Sequence, residues 1–317
     1  MKTEIIKVSD DDMNWANRGV EYLKSGLPVA FPTETVYGVG SGIFDLSGVE
    51  RVYGIKGRNF MNPLSAHISD LSHVELLCHD IRPEFYLLAE KFLPGPLSII
   101  MRKRKEVPDI VSGGGDTLSI RFPDNKYFLS FAKMFGQPIA ATSANISGKP
   151  SPVSAQDVFD DLGGKIPMII DGGKCRYRIE STVISLAGDK VVLIRPGVIS
   201  QEEISRVLGY EIISYNRQIV AVDNMKSSLH NSSLKILCFD NIDKIIDFCE
   251  NNNQLKIAVM SRNTKNKMKE FEYIKTDANE FFDNLRELEK NGTDVLLIEK
   301  DEYVMTSEVL RHRLKIN

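Results

Sequence analysis

Five polar clusters in this chain have residue types and spacings that suit ligand chemistry. The first is Pro32-Thr33-Glu34-Thr35-Val36-Tyr37-Gly38, where hydroxyls and a carboxylate follow a short apolar strand and are placed to line a cleft. The second is Lys56-Gly57-Arg58, two cations flanking a glycine, a spacing that lets both converge on one polyphosphate. The third is Thr117-Leu118-Ser119-Ile120-Arg121-Phe122. Strand alternation puts Thr117, Ser119 and Arg121 on one face, where an arginine beside hydroxyls suits a carboxylate or phosphate. The fourth is Ala141-Thr142-Ser143-Ala144-Asn145-Ile146-Ser147-Gly148, whose small residues let an anion approach backbone N–H groups. The fifth is Glu180-Ser181-Thr182-Val183, with Arg195-Pro196-Gly197 closing the next strand. Each has a plainer reading: a capping turn, a solvated helix end, an exposed strand ion pair or an ordinary turn.

Other chemistries lack residues to carry them. The phosphate-loop pattern G-x-x-x-x-G-K-[ST] is absent, and Gly113-Gly114-Gly115-Asp116 reads as a turn between two strands. The four cysteines (Cys78, Cys175, Cys238, Cys249) form no C-x-x-C pair, and the five histidines include no H-E-x-x-H, so no protein-held metal is expected. No Ser-His or Cys-His pair marks an activated nucleophile. Lys and Arg number 40 against 43 Asp and Glu, a net charge of −3. Residues 1–210 contribute 24 cations and 25 anions, so no basic half is hidden, which argues against bulk nucleic-acid binding. The run Arg102-Lys103-Arg104-Lys105 reads as a solvated edge strand or loop. No apolar run is long enough for a membrane helix, and the N-terminus has no signal-peptide core, so a soluble cytoplasmic protein without membrane contact is expected.

A length of 317 residues suggests about two domains. Residues 1–210 mix helix and strand signals. Helices are expected over 11–25, 81–92, 127–135 and from Ser200 to about Gly209, the last opened by the capping box Ser200-x-x-Glu203. An amphipathic segment runs from Val49 to Lys56. Strands are expected over 28–32, 98–102, 117–122, 138–142, 168–170, 181–187 and 190–194. Residues 211–234 are polar and rich in Ser and Asn, a linker. Residues 235–317 then alternate strand (234–239), helix (243–250), strand (256–260), helix (279–290) and strand (294–298), the pattern of a small parallel-sheet α/β domain.

The clusters taken in order, with Pro63-Leu64, His67 and Pro94-Gly95-Pro96 between them, resemble the YrdC-like family in a long form that carries an extra C-terminal domain. The resemblance is strong over residues 5–210 and weak over 235–317. It implies an α/β (α+β) fold, a twisted mixed sheet with a concave basic face, over 1–210. A linker over the active site (211–234) and the small domain (235–317) follow. It implies an enzyme, a nucleotidyltransferase that joins L-threonine, bicarbonate or carbon dioxide, and ATP into threonylcarbamoyl-adenylate and releases pyrophosphate. The product passes to a separate tRNA threonylcarbamoyl transferase complex for modification beside the anticodon.

Carried over residue by residue, the resemblance implies that Lys56 and Arg58 hold the ATP phosphates and do the catalytic work. Asn62, Thr117, Ser143, Asn145, Ser151 and Arg195 complete the nucleotide site, and Thr35, His67, Arg121, the Ala141 backbone and Ser181 hold L-threonine. Mg2+ would enter with ATP, bound by phosphates more than by protein. Two departures stand out: Asn59 follows the Lys-x-Arg motif where the family usually has proline, and the linker keeps only Met225-Lys226 and His230 of a pattern rich in Gly, Pro, His and Tyr. Two other readings use the same module. One is a double-stranded RNA or tRNA contact, as in a ribosome-assembly factor; the other is carbamoyl transfer in hydrogenase maturation, which calls for paired cysteines that this chain lacks.

Overall fold

The computed structural model describes residues 1–214, 233–262 and 271–316. The chain divides into two compact units. One takes in Met1–Ser147 and resumes at Ser151; the other takes in Gly148–Pro150 and the described residues after 232.

The first unit runs β1 (Glu4–Lys7), α1 (Asn14–Lys24), β2 (Val29–Phe31), β3 (Gly38–Gly42), α2 (Leu46–Lys56), β4 (Ser65–His67), α3 (Ser72–Leu77), α4 (Pro83–Phe92), β5 (Leu97–Arg102), β6 (Thr117–Arg121), α5 (Lys126–Phe135), β7 (Ile139–Ser143), α6 (Ala155–Leu162), β8 (Met168–Asp171), β9 (Thr182–Ser185), β10 (Val192–Arg195), α7 (Gln201–Leu208) and β11 (Ile213–Ser214). The strands form one mixed sheet in the order β1-β8-β2-β3-β7-β4-β6-β5-β9-β10-β11. Chain neighbours are often far apart in that order, so residues from distant parts of the sequence meet on one surface.

Two apolar clusters cover the sheet. On one face Ala66, Leu118, Ile120, Ile99, Ala140 and Ile184 pack with α2 and α4 residues such as Val49, Val52 and Leu88. On the other face the cover is partial: α1 (Trp15, Ala16, Val20, Leu23) and α5 (Phe128, Phe131, Phe135) bury Val29, Phe31, Ile139, Ala141, Met168 and Ile170. Their close packing needs Gly19, because a Cβ there would lie 2.7 Å from a ring carbon of Phe131. Where this second cluster ends, the strand positions turn polar, and that is where the candidate site begins.

The second unit is β12 (Lys235–Phe239), α8 (Ile242–Glu250), β13 (Ile257–Met260), β14 (Glu272–Ile274), α9 (Phe281–Lys290), β15 (Val295–Glu299), α10 (Glu302–Thr306) and α11 (Glu308–Leu314). Its four strands run β12-β15-β13-β14, every pair parallel, as the alternating pattern of 235–317 predicts. Alternate strand residues face opposite helices: Val259 and Leu297 meet Ile245 and Cys249 of α8, while Met260 and Ile298 meet Phe282 and Leu285 of α9.

Several expectations change. Of the edge strand or loop expected over 102–105, the loop holds for 103–105, but β5, which Arg102 ends, is not an edge strand, since it lies between β6 and β9; Lys103 bonds Asp109 at 2.8 Å and the Val107 carbonyl at 3.0 Å. The β5 and β6 strands do pair antiparallel, but residues 103–116 connect them, a much longer link than the glycine turn alone. Helix α6 escaped the sequence reading, although its capping box, Ser154 with Asp157, has the same logic as the one recognised at Ser200 and Glu203. β3 escaped too, because Gly38-Val39-Gly40-Ser41-Gly42 has little strand propensity. Helix starts at 11 and 81 move inward to Asn14 and Pro83. Among the described residues no helix is long and apolar enough to cross a membrane, and all four cysteines are free thiols.

The glycines of β3 are a packing requirement. A Cβ on Gly40 would sit 2.6 Å from the Ala140 carbonyl oxygen and 2.7 Å from the Ala141 Cβ, both on the neighbouring strand β7. Gly40→Ala is expected to lower stability by about 1–3 kcal/mol, the usual cost of overpacking. Gly54→Ala, in an exposed turn of α2 with nothing within 4 Å, is expected to raise it by about 0.5–1 kcal/mol. Thermal melts of the two variants against the parent protein check both signs.

Candidate active site

Strand register assembles the polar face. Arg121 on β6 lies beside His67 on β4 and beside Ser98 on β5. Ser119 lies beside Ser65, which in turn pairs with Ala141 on β7, and Ser143 pairs with Gly38 on β3. Residues opposite one another on adjacent strands share a face, so these side chains line one side of the sheet while Leu118, Ile120 and Ala66 face the apolar core. The alternation read in Thr117, Ser119 and Arg121 therefore holds.

Arg121 is not an exposed strand cation. It is 3% exposed and forms an ion pair with Glu34, itself 3% exposed. Its Nη1 lies 3.5 Å from the Leu97 carbonyl oxygen. Glu34 is aimed by the turn after β2. The Thr33 hydroxyl donates to the Val36 carbonyl at 2.6 Å and accepts the Thr35 and Val36 N–H groups at 3.1 and 3.2 Å. The Glu34 carbonyl accepts the Tyr177 N–H at 2.8 Å. The Thr33 and Thr35 hydroxyls lie 2.9 Å apart, so Thr35 is fixed in the same turn.

His67 is buried, though 9% exposed. Its ring packs edge-on to Phe31 and Phe128, at 5.8 and 6.0 Å between centroids. Burial, and then the charge of Arg121, push its pKa down to about 3. Nδ1 lies 3.2 Å from the Ser65 carbonyl oxygen. A carbonyl only accepts, so Nδ1 carries the hydrogen and Nε2 presents a lone pair. The site thus has a histidine that stays a neutral acceptor even in acid that would protonate it in water.

A second contact chain begins at Ser98, whose hydroxyl lies 2.8 Å from that of Ser181. Arg195 donates from Nη2 to the Ser181 carbonyl at 2.7 Å and to its hydroxyl at 3.2 Å. Ser98, beside Arg121 in the strand register, thereby connects that position to Ser181 and Arg195, and no local pattern marks this serine. Ser151, 1% exposed, donates to Glu180 at 2.8 Å.

The two cations of the Lys-x-Arg motif separate. Helix α2 ends at Gly57, whose φ of 61° is the left-handed conformation glycine adopts readily. Lys56 turns inward from the last helical turn and is 1% exposed. Its ammonium donates to the carbonyls of Ser143 and Asn145 and lies 3.4 Å from Asn145 Oδ1. The Ser143 hydroxyl donates to that same Oδ1 at 2.5 Å. Lys56 is therefore not a solvated helix end; it ties α2 to the end of β7. Arg58, half-buried, donates to the carbonyls of Asn62 and Pro63, both at 3.0 Å, and burial lowers its pKa. The structure brings Lys56, Ser143 and Asn145 into one group, Arg58 and Asn62 into another, and His67, Arg121 and Ser181 onto the central face with Ala141, while Thr35 lies in the turn that carries Glu34. Thr117, at the far end of β6, pairs in register with Arg102. A cavity of about 130 Å³ opens on Thr33 and Glu34 and is lined also by Asp124, Asn125, Lys174 and Arg176. Of the expected linker, 215–232, with His230, lie outside the described residues.

A family model covering Sua5, YciO and YrdC, described as "Telomere recombination", matches residues 21–197. The chain belongs to this family. Threonylcarbamoyl-AMP synthase of Pyrococcus abyssi is 45% identical over 208 residues, 65% of this chain and 61% of that protein. The Bacillus subtilis enzyme of the same name is 44% identical over 59% of this chain and 54% of its own length. The Schizosaccharomyces pombe enzyme is 42% identical over 56% and 49%. These matches span only about half to three fifths of the relatives' lengths. The crystal structure of P. abyssi Sua5 complexed with L-threonine superposes with a TM-score of 0.86 at 34% identity, covering 99% of this chain and 97% of that one. Escherichia coli YciO, at 24% identity and a TM-score of 0.57, shares the fold of 64% of the chain.

A buried, neutral His67 makes stability depend on pH. Its folded pKa of about 3 lies below the ordinary 6.5, so the unfolded chain takes up a proton that the folded one refuses. The contribution is complete above pH 6.5 and is lost progressively as pH falls from there towards 3. Between pH 7.5 and 5.5 the loss from this residue is about 1.4 kcal/mol. Denaturant titrations at both pH values are expected to show this extra loss in the parent protein and its absence in His67→Gln.

Proposed function

We propose that this protein is a threonylcarbamoyl-AMP synthase, joining L-threonine, bicarbonate or carbon dioxide, and MgATP into threonylcarbamoyl-adenylate and pyrophosphate. The observation that carries the reading is the buried Arg121–Glu34 pair at the centre of the polar face, with Lys56, Ser143 and Asn145 grouped at the end of β7 on that sheet. A guanidinium with donors to spare suits an α-carboxylate, and cations with small polar residues suit phosphates. The 42–45% identity to three synthases supports the same assignment.

In this reading Arg121 takes the threonine carboxylate, with Thr35, His67, the Ala141 backbone and Ser181 around the rest of the amino acid. The neutral Nε2 of His67 accepts a hydrogen from the substrate. Arg58, with Asn62, Thr117, Ser143, Asn145, Ser151 and Arg195, serves the nucleotide, and the motif's two cations divide the labour. Arg58 neutralises charge as pyrophosphate leaves. Lys56 holds the Ser143–Asn145 segment in the shape the nucleotide needs, besides adding its own charge. The amine adds to bicarbonate or carbon dioxide, and the resulting carbamate oxygen attacks the α-phosphorus. No protein nucleophile takes part, so positioning and electrostatics supply the rate. Mg2+ comes and goes with the ATP phosphates. Residues 1–210 form the catalytic domain, 211–234 a linker and 235–317 a separate domain. The product, a mixed anhydride prone to hydrolysis, is passed to a tRNA threonylcarbamoyl transferase complex.

The direct test is pyrophosphate release with ATP, bicarbonate and threonine, each omitted in turn. Release is expected only with all three, and poorer with serine; equal release without any amino acid overturns the reading. Two variants separate the roles of the cations. Arg58→Ala is expected to lower kcat/KM about tenfold to a hundredfold, the worth of a charge-assisted contact. Lys56→Met leaves buried carbonyls without their ammonium and is expected to cost about 2 kcal/mol or more of stability, with a larger fall in Tm than Arg58→Ala. Activity assays and melts on the same preparations compare them.

A further inference from the structure

Glu34 sits in the cluster after β2, yet the residues assigned to the amino acid and nucleotide do not include it. Its Oε1 is engaged by Arg121. Its Oε2 is buried and, among the described residues, has no hydrogen-bond partner. An ionic oxygen out of water and without a donor is costly, and native proteins rarely keep one unless something completes it. The cost is not an accident of a loose loop. The Thr33 hydroxyl bonds described above pin the turn on both sides of Glu34, and Tyr177 N–H holds its carbonyl. The carboxylate is 97% out of solvent, held rigidly, and half-satisfied.

What completes it must be a hydrogen-bond donor, and preferably a cation. Glu34 also borders a cavity with Thr33, Asn125 and Arg176. Its ion-pair partner, Arg121, is the group best suited to a carboxylate, and Arg176 also feels the charge of Glu34. A guanidinium and a carboxylate in contact form a dipole of opposite sense to an α-amino acid, whose carboxylate and ammonium are separated by one carbon. We propose that Glu34 is the specificity-determining acceptor for the substrate's amino group: Oε2 receives an N–H of the amino acid while Arg121 receives its carboxylate. The pair then selects α-amino acids over hydroxy acids of the same shape. This rests on the functional reading above and extends it to how the amine is recognised.

Glu34→Gln tests the idea, because it keeps the side chain's shape and its oxygen for Arg121 but replaces the charged acceptor with an amide. Binding is measured by titration calorimetry with three ligands: L-threonine, 3-hydroxybutanoate (carboxylate and hydroxyl, no amine) and 2-aminobutanoate (amine and carboxylate, no hydroxyl). The parent protein is expected to bind threonine and 2-aminobutanoate at least tenfold more tightly than 3-hydroxybutanoate. In Glu34→Gln the Kd for the two amines is expected to rise about tenfold to a hundredfold, the worth of a charge-assisted hydrogen bond. The Kd for 3-hydroxybutanoate should change less than threefold. An equal loss for all three ligands means that Glu34 only orients Arg121 and overturns the proposal, as does an unchanged threonine affinity. If the variant does not fold, the parent protein decides alone: 3-hydroxybutanoate binding as tightly as threonine overturns it. Threonine-independent pyrophosphate release by the parent protein would sink the functional reading, a result separate from the analogue ratios.

Discussion

The buried ion pair between Arg121 and Glu34 constrains the rest of the site. Two ionic groups out of water lose several kcal/mol of hydration each and recover it only in good geometry with further hydrogen bonds. That geometry is made by two independent parts of the chain. β6 delivers Arg121 at its C-terminal end, next to His67 and Ser98, and the Thr33 turn delivers Glu34. Neither position tolerates drift, because moving one partner strands the other. The charge of Arg121 also adds to burial in keeping His67 neutral.

Around that contact the sheet has two unlike surfaces. One is largely apolar under α2 and α4, and the other is apolar only where α1 and α5 lie on it. The uncovered stretch carries serines, Arg121 and His67, and β3 beside it is mostly glycine. Small residues keep the backbone within reach of a ligand, and the apolar cover on the opposite face anchors strands that would otherwise be too polar to stay put. Stability and binding are therefore divided between the faces, and the alternation of β6 connects them residue by residue.

The Lys-x-Arg motif shows the same division within three residues. A left-handed glycine ends α2 and sends its two cations in different directions. Lys56 becomes an internal tie to Ser143 and Asn145, holding a helix end to the loop after β7. Arg58 stays nearer the surface with Asn62 and Pro63. Charge of one sign thus serves both as scaffold and as ligand contact, which a short pattern of letters cannot distinguish.

Much of this was legible in the sequence. Strand period placed Thr117, Ser119 and Arg121 together, strand-helix alternation gave the parallel sheet of the C-terminal unit, and the capping box at Ser200 marked α7. The ordered clusters resembled the right family, since glycines, prolines and charged residues at fixed spacing are local facts. What the sequence left open were the facts set by pairing between distant strands. Ser98 beside Arg121 depends on the β5–β6 register, and the glycine strand β3 exists because β7 and β2 flank it, not from its own propensity. The partner of Arg121 lies 87 residues away, in a turn where Glu34 looked like one polar residue among several. Burial decided the rest. A lysine that would be hydrated in an isolated peptide became an internal strut, and a histidine that acid would readily protonate there became a lasting neutral acceptor, because desolvation is a property of the folded surroundings and not of the residue type.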